Sequence, residues 1–97
     1  MERDQVLTTL RRHSADLMDL GASSLYLFGS VAKNEANPDS DVDLFFDFDD
    51  PRFSLIELVA LKDRIAELLH APAHVMSRGS IHPRLRSSIE SSALRVF

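Results

Sequence analysis

The sequence predicts a small two-layer α+β domain, a mixed β-sheet of about three strands with helices packed on one face. Three observations carry this expectation. Short runs rich in apolar and β-branched or aromatic residues occur at Ser24–Phe28, Asp41–Phe48 and Ala73–Met76. Longer segments with helical spacing of apolar residues lie before, between and after them. A chain of 97 residues holds one domain, so 1–97 is read as a single folding unit around a single core.

The elements follow in order. A first helix is expected from about Asp4 to Leu20, with Val6, Leu7, Leu10, Leu17 and Leu20 as its apolar stripe and Gly21 as its stop. Ser24–Phe28 is the first strand. A short helical stretch, Ser30 to Asn34, follows, and the turn formers Asn37-Pro38-Asp39-Ser40 mark a loop. Along the second strand Val42, Leu44, Phe46 and Phe48 share the core face, while Asp41 and Asp43 share the other. Ser54 and Glu57 form a capping-box pattern that opens a helix reaching about His70, with Leu58, Leu61, Ile65 and Leu68 inward and Pro72 as its end. After the third strand, Pro83 suits the first turn of a last helix, whose apolar residues are Leu85, Ile89, Ala93 and Leu94. All these stripes read as core.

The chemistry concentrates in Gly29-Ser30, ten residues, then Asp41-Val42-Asp43. Gly29 lets backbone approach a ligand, because it has no Cβ to collide. Ser30 offers a hydroxyl and an N–H at a helix start, an environment that suits phosphate. Asp41 and Asp43 have Cα atoms about 6.6 Å apart, at ~3.3 Å per strand residue. Such a pair can converge on a hard cation; without one, the carboxylates repel and raise a pKa. Gly-Ser alone is an ordinary turn and Asp-x-Asp alone an ordinary solvated face. The order strand, turn, short helix, loop, strand gives the pair a nucleotide-site meaning.

Composition bounds the alternatives. Hydrophobic residues make up 44% and charged residues 27%, an ordinary balance for a globular domain. The net charge of −4 and a pI near 5.4 speak against strong nucleic-acid binding. The acids cluster between Asp39 and Asp50; the last third is basic, with Arg78, Arg84, Arg86 and Arg95. The absence of cysteine excludes disulfides and thiolate metal sites and fits a reducing compartment. No apolar run approaches the ~20 residues of a membrane span, and Met1-Glu2-Arg3-Asp4-Gln5 does not read as a signal peptide. The expected location is cytoplasmic. The length leaves no room for a domain that holds an acceptor, so a second protein must supply the acceptor or be it.

These residues resemble the signature of the polymerase β-type nucleotidyltransferase superfamily. The closest resemblance is to its minimal nucleotidyltransferases (MNT), which include antitoxins of the MntA type encoded beside HEPN-domain toxins. It covers nearly the whole chain, and Ile81-His82-Pro83-Arg84-Leu85-Arg86 is similar to the start of the family's closing helix. The resemblance implies the family fold and transfer of a nucleoside monophosphate from an NTP, with ATP expected, to a hydroxyl. Pyrophosphate would leave. Gly29, Ser30 and Lys33 would bind the nucleotide, with Lys33 also readable as a solvated lysine. Asp41 and Asp43 would hold Mg²⁺ and act in catalysis. A HEPN-domain toxin would be the partner, with homo- and hetero-oligomers both open.

Catalytic members carry a third carboxylate on the next strand, and His74 stands at that position here. Three readings of His74 remain: a histidine with no role, a general base replacing the acid, or the mark of a weakened site that binds nucleotide and transfers poorly. Asp47 shares the parity of Asp43 but lies ~13 Å along the strand, too far to join the pair. Arg78 is read as facing the nucleotide, a partner acid or solvent. The competing functional class is a module that neutralises its partner by contact alone. A small-molecule nucleotidyltransferase would need a further domain.

Overall fold

A computed structural model of the chain describes residues 2–35 and 41–97. The predicted loop Asn37-Pro38-Asp39-Ser40 lies outside the described residues. Three expected strands are present as β1 (Ser24–Phe28), β2 (Val42–Asp47) and β3 (Ala73–Ser77), joined by a short β4 (Leu94–Arg95). The sheet order is β3-β2-β1-β4. β1 pairs antiparallel with both β2 and β4, and β2 pairs parallel with β3. A parallel pair needs a crossover, and α4 (Leu55–Leu69) supplies it.

The register explains the core. Leu25 faces Phe46, Leu27 faces Leu44, and Leu44 faces Val75. These side chains share one face and are buried with Val6 and Leu10 of α1 (Arg3–Arg12), Leu17 of α2 (Ser14–Asp19), and Leu61, Ile65 and Leu69 of α4. The opposite face carries Tyr26, Phe28, Phe45 and Met76. There α5 (Pro83–Ser92) covers a smaller cluster with Ile81, Ile89 and Ala93.

Helices were expected on one face of the sheet, but α5 packs on part of the other, where Ile89 joins the Phe28–Phe45 cluster. Four further details differ from expectation. The first helix breaks at His13, whose backbone leaves helical values (φ −108, ψ 23) and whose Nδ1 meets the Thr9 carbonyl oxygen at 2.9 Å. That local side-chain bond competes with the helical ladder, and the chain turns into α2. Phe48 is exposed, because β2 stops where its partner β1 begins, at the Asp47–Ser24 pair; its ring stacks on Phe53 at 4.7 Å. Leu85 is also exposed, and α5 has no fully buried residue.

Leu94 is not helical: α5 ends at Ser92, where the Ser91 and Ser92 hydroxyls donate to the Ser88 carbonyl. The chain then pairs with β1, and Arg11 donates to the carbonyls of Arg95 (2.9 Å) and Val96 (3.2 Å). Other local signals hold. Gly21 stops α2 with φ +116, in a space where a β-carbon would strike the Phe53 ring. Ser54 and Glu57 form the capping box, and Pro83 opens α5 behind His82, whose Nδ1 accepts from the Arg84 N–H. Among the described residues no helix is long and apolar enough to cross a membrane.

Candidate functional site

β1 runs directly into α3 (Gly29–Ala32), a single helical turn. Gly29 sits at φ +78, a conformation L residues rarely adopt. A β-carbon there would press on the Asp43 carboxylate, lying 3.2 Å from its Cγ and closer still to Oδ2. The β1–β2 register places Phe28 opposite Asp43, so the turn and the acid are held together by the sheet. Ser30 is half-buried on the turn, and its carbonyl accepts from the Glu35 N–H at 2.8 Å. Lys33 follows at the helix end and is exposed.

Asp41 stands just before β2, and Asp43 is its second residue. In the parallel register Asp43 pairs with His74. The imidazole lies between the two acids: Nε2 is 2.8 Å from Asp41 Oδ2, and Nδ1 is 3.6 Å from Asp43 Oδ1. Doubly protonated, the ring can donate toward both carboxylates; neutral, it donates to one. Burial pushes the Asp43 carboxyl above its ordinary range; His74 lowers it and the nearby Asp41 raises it further. The repulsion expected between the acids is therefore present but secondary to desolvation.

The donor chemistry fits Mg²⁺ in part. Two carboxylates are hard oxygen ligands, and the partly buried Asp43 gains from a neighbouring cation. Among the described residues no group of three or more His, Cys, Asp or Glu is arranged to hold a metal ion. A cation would thus rest on Asp41, Asp43 and oxygens brought by a nucleotide, which matches the way Mg²⁺ is usually held at phosphate sites. His74, a nitrogen donor, is a poor third ligand for it.

Asp47 is separate from this group, as expected. It accepts two bonds from Arg78 (2.8 and 2.9 Å) and one from the Ser24 hydroxyl (2.6 Å). Arg78 also pairs with Glu90 of α5 at 3.3 Å and lies 4.9 Å from the ring centroids of both Tyr26 and Phe45. Sequence reading left Arg78 open and missed this network. The signal was the shared parity of Ser24 with Tyr26 and of Phe45 with Asp47.

Bonding by Arg78 holds the Asp47 carboxyl below its usual range, against a smaller opposing effect of burial. The stabilisation is present above the ordinary carboxylate pKa and is lost as pH falls through the depressed folded-state value. Arg78→Ala should therefore cost about 1–2 kcal/mol at neutral pH, since both partners are partly exposed, and less in acid. Urea denaturation at pH 7 and pH 3 checks both the size and the sign. A concavity of about 310 Å³ beside Gly21, Asp50, Phe53 and Glu57 lies off the opposite end of β2 from Asp41.

The nucleotidyltransferase domain family matches residues 7–96. A protein of Methanocaldococcus jannaschii provisionally assigned as a protein adenylyltransferase is 31% identical over 94 residues, covering 95% of each chain. The protein adenylyltransferase MntA of Thermococcus cleftensis is 29% identical over 93 residues, 95% of this chain and 89% of that one. A provisionally assigned minimal nucleotidyltransferase of solved structure superposes with TM-score 0.84 at 30% identity, covering 97% of this chain and 95% of that one. A chain from the complex of a tri-AMPylated Shewanella oneidensis HEPN toxin with MNT antitoxin shares the fold, with TM-score 0.67 at 17% identity over 94% of this chain and 71% of that one.

Proposed function

This chain belongs to the nucleotidyltransferase domain family, and on that footing we propose that it is a Mg²⁺-dependent nucleotidyltransferase that moves AMP from ATP to a hydroxyl of a partner protein. The partner is a HEPN-domain toxin, which this chain silences in the cytoplasm as its antitoxin. The observation that carries the reading is the meeting of the Gly29 turn with the Asp41–Asp43 pair, where the missing β-carbon leaves room beside the Asp43 carboxylate. The protein adenylyltransferase relatives and the AMPylated toxin complex support the acceptor and the partner.

In this reading the acceptor oxygen attacks the α-phosphorus, the bond to the bridging oxygen breaks, and pyrophosphate departs. Gly29 and Ser30 hold the outer phosphates through backbone N–H groups and the Ser30 hydroxyl. Lys33, one turn further, steadies the same phosphates. Asp41 and Asp43 would hold Mg²⁺, whose positive charge would offset negative charge at the phosphate oxygens. His74, which pairs with Asp43 in the β2–β3 register, would accept the hydroxyl proton.

A second reading rests on that same residue. A nitrogen where catalytic relatives are expected to carry a carboxylate favours a chain that holds Mg²⁺–nucleotide and acts by contact. The two separate in an assay with labelled ATP, Mg²⁺ and the neighbour-encoded HEPN protein. Label on the partner that disappears with Asp41→Asn supports transfer; tight complex formation without label supports contact. In the same assay His74→Ala should lower transfer about 100-fold, the usual size of a general-base contribution, whereas unchanged transfer assigns His74 no role. His74→Asp should support transfer at least as well as the native chain. A strong gain from an inactive native protein would establish the contact reading.

A further inference from the structure

His74 is bonded to one of the groups that would hold the cation and lies beside the other. Its Nε2 is 2.8 Å from Asp41 Oδ2, and its Nδ1 is 3.6 Å from Asp43 Oδ1. The ring therefore spans the two carboxylates and takes one oxygen of Asp41. A cation shared by both carboxylates needs the same gap, because hard cations are held by oxygens that converge on them. A ring nitrogen is a poor member of a Mg²⁺ shell, so ring and cation compete for the gap rather than share it. In keeping with this, His74 and the two acids form no three-ligand metal arrangement among the described residues.

The contact does not need a charged ring. A neutral imidazole donates one N–H, which is enough for the bond to Asp41. Nor is the ring locked in place. The His74 side chain is 59% exposed, against 28% for Asp43, so it can turn toward solvent without disturbing the core. The β2–β3 register keeps its backbone beside Asp43, so it stays within reach after turning. The other oxygen of Asp43, Oδ2, lies on the Gly29 side. A nucleotide approaching along the Gly29 turn thus reaches Asp43 from the side that the ring leaves open.

We propose that His74 closes the empty acid pair to free Mg²⁺ and gives way when the cation arrives with a nucleotide. The inference rests on Asp41 and Asp43 holding Mg²⁺, which the transfer and contact readings share. Breaking the Asp41–His74 bond costs the same for free Mg²⁺ and for Mg²⁺–nucleotide. Free Mg²⁺ gains two carboxylates in return, whereas the nucleotide complex also gains the phosphate contacts of Gly29 and Ser30. The ring thereby lowers occupancy by the bare cation and leaves the loaded nucleotide able to enter.

The test is an NMR titration of the nucleotide-free full chain with Mg²⁺ at about pH 8, where a free imidazole is neutral. Amide shifts at residues 41–43 report affinity. NOEs from the His74 ring to the β-protons of Asp41 and Asp43 report the contact. In the native chain these NOEs should be present without Mg²⁺ and vanish at saturation. His74→Ala should bind Mg²⁺ about fivefold more tightly, the size expected when one hydrogen bond no longer has to be broken. The remaining amide spectrum verifies that the variant is folded. NOEs that persist at saturation would overturn the proposal, as would weaker binding by His74→Ala. Shifts at 41–43 with equal affinity in both chains would reject the closing role of His74 alone. Absence of those shifts in both chains would reject the acid pair as a Mg²⁺ site, and the proposal with it.

Discussion

Asp43→Asn is expected to abolish nucleotide transfer and, at the same time, to raise thermal stability. The loss follows from the proposed role: a neutral amide at this position holds Mg²⁺ poorly, and several kcal/mol of transition-state stabilisation are lost, a fall on the order of a thousandfold. The gain follows from the folded protein alone. Burial lifts the Asp43 carboxyl above its ordinary range, and Asp41 adds to this against the opposing pull of His74. A raised carboxyl means that the folded state tolerates the ionised form less well than the unfolded chain does. Stability present in acid is therefore lost as pH rises through the unfolded and then the folded pKa.

Asparagine removes that neutral-pH penalty. The gain should be modest, because Asp43 keeps some solvent contact and His74 offsets part of the cost. Thermal melts at pH 7 should place the variant above the native chain, with the two converging near pH 3. A lower melting temperature at pH 7 would show that Asp43 supports the fold rather than a ligand. An active-site acid that costs stability is a common compromise between function and folding.

Gly29→Ala should be nearly as damaging, by a route that needs no change at the acids themselves. At φ +78 a side chain costs about 1–2 kcal/mol in the left-handed region. The new β-carbon would also meet the Asp43 carboxylate, which must move. A displacement near 1 Å at reacting groups can cost about 100-fold in rate, so transfer should fall well beyond what the loss of stability explains. Gly79→Ala is the control: a β-carbon there meets nothing within 4 Å, and stability and transfer should both stay near native. Stability from urea denaturation, with transfer measured on the fully folded fraction, separates the two contributions. Full activity in Gly29→Ala would detach the turn from the acid pair.

Much of this architecture is legible in the sequence because short-range rules dominate it. Period-two alternation marks Val42, Leu44 and Phe46 as core; the capping box at Ser54 and Glu57 fixes the start of α4; and Gly21 marks the end of the first helical region. The juxtaposition of Asp43 with His74 follows once β2 and β3 are taken as parallel neighbours.

What escaped is tertiary. β4 spans two residues, too short for any period, and exists because the free edge of β1 and the Arg11 guanidinium bind its backbone. The break at His13 depends on one ring nitrogen and one carbonyl. Phe48 continues the alternation of β2 faithfully, yet the strand loses its partner at Ser24. Arg78 joins Asp47 and Glu90 from elements distant in sequence, a closure that no local pattern records.

The most direct test of the central claim is calorimetric titration of the full chain with a non-hydrolysable ATP analogue, with and without Mg²⁺. The native chain should bind the analogue only when Mg²⁺ is present, and the Asp41→Asn/Asp43→Asn double variant, still folded, should show no binding heat. Equal binding without Mg²⁺, or by the double variant, would contradict a nucleotide site built on Gly29, Asp41 and Asp43.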